Sequence, residues 1–419
     1  MDKERTVSRD SIGPFVKALD VGVGALKAFG MERTRLTEDA ILGRAMRETG
    51  LTDFGDSRFR IPMRRILGMI AKRKGLTNIA SVTFNHAMTQ AASNRLRLVA
   101  YQKAHPEVHD IKVERPVFVL GFPRTGTTVL QNLLASDPRR RGLEFWEICN
   151  PLPLGSHNST ADDKKRVRMT KRDLDIAYRV APEMEVVHWI DAHTIEECWP
   201  LFANSFSVMN WDLQTGISEW GDFLSNDWDM KWAYGEYKQY LQVLLHQRPT
   251  QNLVLKCPEH LWFLDELLET FPDASIVWSH RDPYKTIASY CSLISLQWRT
   301  LYGTIDAKGL GSHITKRFHQ GVEAAMEARS RANPNRFFDV RFSELIKDPA
   351  AMASRILTKF DLPNDALTQA GMDAWLNNKR ADARGKHQYD PDHYGLDASR
   401  IRGRYQSYIE NFDVSTMAA

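Results

Sequence analysis

Between Pro116 and Asp137 the chain reads PVFVLGFPRTGTTVLQNLLASD, and several residue types in that stretch can hold an oxyanion. Gly121 and Gly126 bracket a loop whose backbone N–H groups can turn inward. Arg124 supplies a planar fork of donors suited to a tetrahedral anion, and Thr125, Thr127 and Thr128 add hydroxyls. Leu130, Leu133 and Leu134 recur with helical spacing after the loop, so an anion held there sits at a helix N-terminus, where unpaired N–H groups and the helix dipole favour negative charge. The spacing from Gly121 to Gly126 is that of a Walker A loop, yet Thr127 stands where a nucleoside-triphosphate enzyme carries its lysine. The loop therefore suits a 5′-phosphate-type group other than an ordinary nucleoside triphosphate.

The second constellation is Arg281 with Ser289, eight residues further on. The elements around it read as a strand (Asn252 to Lys256), a helix (about Leu261 to Phe271), a strand (Ser275 to Ser279), a turn at Asp282-Pro283 and another helix. Val117 to Leu120 are large or β-branched without polar alternation, which predicts a strand buried on both faces of a parallel sheet. Ligands in open α/β sheets bind at the carboxyl edge, where both the glycine loop and Arg281 fall. Neither later strand ends in an aspartate fit to hold Mg²⁺: they run into Lys256-Cys257 and His280-Arg281.

Taken together, GFPRTGTT and RDPYKTIAS resemble the paired cofactor signatures of sulfotransferases that use 3′-phosphoadenosine 5′-phosphosulfate (PAPS). Asp53 to Phe59 (DFGDSRF), Asn94 to Leu98 (NRLRL), Trp146-Glu147 with Pro151 and Pro153, and the YGL at Tyr394 are similar to a bacterial branch acting on small hydroxylated compounds. The likeness covers roughly residues 40 to 412. It implies a P-loop-kinase-like α/β fold, with Arg124, Thr125, Gly126, Thr127 and Thr128 on the 5′-phosphosulfate and Arg281 with Ser289 on the 3′-phosphate. Lys386 and His387 match the family's late basic loop, although the chain departs there from the RKGxxGDW pattern of the cytosolic branch.

The implied chemistry is in-line attack of an acceptor hydroxyl on sulfur, with PAP leaving and no metal required. It needs positive charge at the bridging oxygen and a base for the hydroxyl proton. Lys256, in a K-x-P stretch, is the candidate for the first role, shared with Arg124. For the base, Glu147 ranks first, Glu144 second, and His188 competes. His188, Asp191 and His193 do not follow a zinc spacing.

Composition fits that frame. The chain has 419 residues, 43% hydrophobic, enough for one large α/β domain, and a net charge of +4 gives nucleic-acid binding no electrostatic argument. Arg139-Arg140-Arg141 reads as a solvated corner, and the widely spaced Cys149, Cys198, Cys257 and Cys291 as free buried thiols. The charged N-terminal residues and the lack of a long apolar run lead to an expectation of a soluble, cytoplasmic protein. Residues 1–110 read as a helical N-terminal subdomain with weak signals up to about residue 35, and residues 111–419 as the α/β domain. Within the latter, residues 152–251 form a tryptophan-rich helical insertion beside the acceptor. The expected partner is a small alcohol or phenol; nothing marks an oligomer interface. A P-loop kinase or NTPase, and a non-catalytic nucleotide-binding protein on the same fold, are the alternatives.

Overall fold

The computed structural model describes residues 11–155, 159–378 and 389–416. Five parallel strands form its sheet: β1 (Val117–Leu120), β2 (Arg140–Arg141), β3 (Asn252–Lys256), β4 (Ser275–His280) and β5 (Phe337–Arg341), in the spatial order β2-β3-β1-β4-β5. Leu120 stands opposite Trp278 and Val119 opposite Lys256, so the chain leaves the central strand β1 directly between the carboxyl ends of β3 and β4. This register brings the glycine loop next to Arg281.

Both sheet faces are covered, as the unalternated apolar pattern requires. Phe118 and Leu120 join the larger core with Ile276 and Trp278, while Val117 and Val119 join a second core with Leu130, Leu133, Val254 and Val340. Residues of the helices Glu38–Thr49, Arg60–Lys72 and Asn78–Ala104 pack into the larger core, so the N-terminal segment shares buried apolar surface with the sheet. Thr37 caps the first of these helices by accepting from the Ala40 N–H at 3.3 Å.

Two local expectations need correction, and a region of weak signals takes a definite form. The helix expected from Leu261 is split into a 3₁₀ turn, Pro258–Leu261, and a helix, Leu264–Thr270, because Phe263 takes φ −134°, ψ 42° between them. A helix, Pro14–Ala28, occupies a region of weak signals; it buries only Val16 of its own residues, which leaves Phe15 and Val21 exposed and no clear inward stripe. The arginine run is not a solvated corner. Arg140 is buried in β2 and donates to the carbonyls of Leu134 (2.7 Å) and Pro363 (2.8 Å), and Arg139 bridges Asp137 (2.6 Å) and Asp365 (2.8 Å). The Arg140 donors satisfy main-chain carbonyls, one of them at the end of the helix after the glycine loop, and Arg139 is neutralised by two carboxylates.

Between β2 and β3 lie the helices Thr160–Val180, Trp199–Ala203, Asn210–Thr215, Ser218–Asn226 and Met230–Gln247. Trp211, Trp220 and Trp232 are core residues there, in ring contact with neighbouring aromatics, whereas Trp199 faces the cleft described below. Among the described residues no helix is long and apolar enough to cross a membrane.

Candidate active site

The loop after β1 is built around backbone that side chains would obstruct. Gly121 has φ 134°, and a Cβ there would lie 2.6 Å from the Ser279 carbonyl oxygen of β4. Gly126 has φ 87°, and its Cβ would lie 2.6 Å from the Leu345 side chain. Thr125 turns its hydroxyl back to the Phe122 carbonyl at 2.8 Å, and its own carbonyl accepts from Ser279 Oγ at 2.5 Å. The helix Thr127–Leu134 then starts with Gly126 as its N-cap, and Thr127 and Thr128 line a cleft of about 400 Å³.

Arg124 sits in the loop with φ 73°. Its carbonyl accepts from Arg281 Nη1 at 2.6 Å, and its Nε donates to Ser289 Oγ at 3.2 Å. Residues predicted for two separate anion contacts therefore form one constellation. Arg281 also lies over the Phe342 ring, 4.2 Å from its centroid. Burial pulls both guanidinium pKa values below their ordinary range, and Arg281 pushes Arg124 further down. Among the described residues neither forms a salt bridge to a carboxylate. Adjacent, partly desolvated cations of this kind are stabilised by an anion bound between them. Lys386 and His387 lie outside the described residues.

Lys256, at the end of β3, is buried beneath the same loop. Its Nζ donates to Thr128 Oγ1 at 3.2 Å and to Glu197 Oε1 at 3.3 Å, and lies 3.6 Å from Glu196 Oε2. Burial works to lower its pKa, but the two carboxylates outweigh that and raise it. Burial likewise works to raise Glu196, but Lys256 and then His188 hold it below the usual carboxylate range. His188 Nε2 stands 3.7 Å from Glu196 Oε1, and His188, Glu196 and Glu197 all line the cleft with Arg124 and Arg281.

The two glutamates ranked highest from sequence are placed elsewhere. Glu144 and Glu147 form a reciprocal capping box on the helix Phe145–Cys149. Glu147 accepts from the Glu144 N–H at 3.0 Å and from Arg141 at 2.9 Å, is buried, and does not line the cleft. Glu144 accepts from Trp146 Nε1 at 2.5 Å, pairs with His193 at 3.1 Å, and lines a different surface hollow. Both carboxylates are engaged in holding the helix start. Glu196 and Glu197 were visible in the sequence as adjacent acids beside His188 but lay in a segment without periodicity. Long-range backbone bonds from Glu196 N to Leu143 O and from Cys198 N to Lys256 O bring them to the cleft.

A profile of the sulfotransferase family matches residues 116–366, which span β1 through β5 and the whole cleft. The chain belongs to the sulfotransferase family. Among solved structures, the sulfotransferase STF9 of Mycobacterium avium is 31% identical, with a TM-score of 0.81 over 91% of this chain and 98% of that one. The sulfotransferase STF1 of Mycobacterium tuberculosis H37Rv is 28% identical, with a TM-score of 0.78 over 88% and 98% of the two chains. A Mycobacterium bovis protein named omega-hydroxy-beta-dihydromenaquinone-9 sulfotransferase Stf3 is 24% identical over 260 residues, 58% of this chain. The match covers 61% of that relative, so the chain spans less than two thirds of the curated relative's length. Membership of this family fits a glycine loop without the Walker lysine, since Thr127 stands at that position.

Proposed function

We propose that this sulfotransferase moves the sulfuryl group of PAPS to the hydroxyl of a small acceptor and releases PAP. The observation that carries the reading is the Arg124–Arg281–Ser289 constellation at the carboxyl edge of the sheet. In this reading the 5′-phosphosulfate takes the N–H groups and hydroxyls of residues 124–128, and the 3′-phosphate takes Arg281 and Ser289. Lys256 supplies positive charge behind the Thr128 hydroxyl, where the bridging oxygen gains negative charge as the S–O bond breaks.

His188 is the base in this reading. With Nε2 turned to Glu196, Nδ1 is the nitrogen left to take the acceptor proton as the hydroxyl oxygen bonds to sulfur, and the Glu196 carboxylate stabilises the imidazolium formed. The cleft is also lined by Met184, Ile190, Trp199, Leu213, Leu293 and Ile294. That lining favours an alcohol or phenol carried on an apolar body.

The test is transfer of labelled sulfate from PAPS to a panel of apolar alcohols and phenols. Labelled product that disappears in His188→Asn supports the reading. PAP binding with no transfer to any member would return the chain to a non-catalytic nucleotide-binding role.

A further inference from the structure

Behind the wall that carries Glu196, Glu197 and Lys256, two cysteines and a histidine converge. Cys198 directly follows Glu197, Cys257 directly follows Lys256, and His260 lies on the 3₁₀ turn Pro258–Leu261. The two Sγ atoms and a ring nitrogen of His260 all lie within 4.8 Å of one another. None of the three residues is more than 1% exposed.

We propose that Cys198, Cys257 and His260 form a structural site for a thiophilic divalent cation, zinc in the cell. The donors are two sulfurs and one imidazole, the soft and borderline set that zinc selects. Cys198 Sγ is 3.7 Å from His260 Nε2. Two such ligands on a tetrahedral zinc, with bonds of about 2.3 Å to sulfur and about 2.0 Å to nitrogen, stand roughly 3.6 Å apart. Cys257 and His260 are separated by two residues, the compact spacing that lets one turn present two ligands.

The surroundings are those of a metal ligand shell. The Tyr234 hydroxyl lies 2.7 Å from His260 Nδ1, which assigns Nε2 as the nitrogen facing Cys198 and satisfies the other. The Tyr237 hydroxyl donates to Cys198 Sγ at 3.2 Å, the kind of second hydrogen bond that orients a sulfur ligand. Phe118 and Phe202 pack against the His260 ring, giving a dry, low-dielectric wall. A site this deep takes its ion as the chain folds, both thiols releasing their protons as the metal–sulfur bonds form, and resists chelators afterwards.

The consequence is mechanical. Cys198 and the end of β3 are joined by the bond from Cys198 N to Lys256 O at 3.0 Å. An ion across Cys198, Cys257 and His260 clamps the same two segments, and so fixes Glu196 and Glu197 against Lys256. The 58 residues between Cys198 and Cys257 kept this set from showing as a sequence motif.

The experiment is metal analysis of the full chain, purified under reducing conditions from zinc-supplemented cells and dialysed against EDTA, with Co²⁺-grown protein as a spectroscopic probe. The expected result is one zinc per chain, thiolate-to-Co²⁺ charge-transfer bands with tetrahedral d–d bands, and loss of both in Cys257→Ser and in His260→Ala. A wild type with neither zinc nor Co²⁺ bands overturns the proposal without reliance on either variant's folding. Zinc retained at full stoichiometry by folded variants also overturns it, as does a Cys198–Cys257 disulfide found by mass spectrometry in the freshly isolated protein.

Discussion

The Arg281 guanidinium donates to the Arg124 carbonyl oxygen at 2.6 Å, across 157 residues of chain. The left-handed backbone at Arg124, φ 73°, is part of the loop geometry that presents this oxygen. Arg124 in turn reaches Ser289 at 3.2 Å. The phosphate loop and the helix after β4 are therefore held in register by the very arginines assigned to the cofactor, so a change in one alters the setting of the other.

Gly126→Ala tests how closely the loop is specified. The added Cβ meets Leu345 at a φ of 87°. A loss of about 1–3 kcal/mol of stability is expected from the strained backbone, together with weaker PAP binding, both measured on the same preparation. An unchanged melting curve would show that the loop yields at no cost.

His188 and Glu147 separate by kinetics. His188→Asn is expected to lower kcat by about 10²–10⁴-fold while leaving PAP affinity near wild type. Glu147→Gln removes a charged capping and Arg141 contact and is expected to cost about 0.5–2 kcal/mol in denaturant unfolding, with kcat per folded molecule retained. The reverse pattern would restore Glu147 to the role its sequence context suggested.

Lys256→Met leaves Glu196 and Glu197 buried or half-buried without their cation. Breaking such a pair from one side costs about 3–5 kcal/mol, and turnover should fall with it. Combining it with Glu197→Gln, the partner without a role at His188, should recover part of the stability but not kcat, which distinguishes the structural from the electrostatic contribution.

Asp137 governs part of the acid stability. Its side chain is buried, and Arg139 first, despite burial and with help from Thr368, holds its pKa well below the usual aspartate value. A depressed folded pKa contributes stability above the unfolded value and loses it as pH falls through the folded one. Asp137→Asn should therefore be markedly less stable than wild type at pH 7, with the gap closing progressively in strong acid. A gap independent of pH would rule out the charge as its cause.

Much of the site-bearing fold was legible because its signals are local. Strand β1 was read to the residue from an unbroken apolar run, β3 likewise, and Asp282-Pro283 marked the helix that carries Ser289. The acidic wall of the cleft was not legible for the opposite reason. Glu196 and Glu197 owe their place to backbone pairing with Leu143 and the end of β3, which no periodicity announces. The capping position of Glu147, away from the cleft lining, was not legible because a carboxylate at the third helical position, next to an aromatic, has the same sequence appearance whether it caps a helix or takes a proton. Arg140 was read as solvated because its burial depends on carbonyl partners as remote as Pro363.

If the Arg124–Arg281–Ser289 constellation binds the 3′-phosphorylated nucleotide, calorimetric titration will show it. Wild type and Arg281→Ala are each titrated with PAP, with adenosine 5′-phosphate and with ATP·Mg²⁺. The expected result is PAP binding far tighter than either comparison ligand in the wild type, with that preference lost in the variant. ATP·Mg²⁺ binding as tight as PAP, unaffected by the substitution, would contradict it.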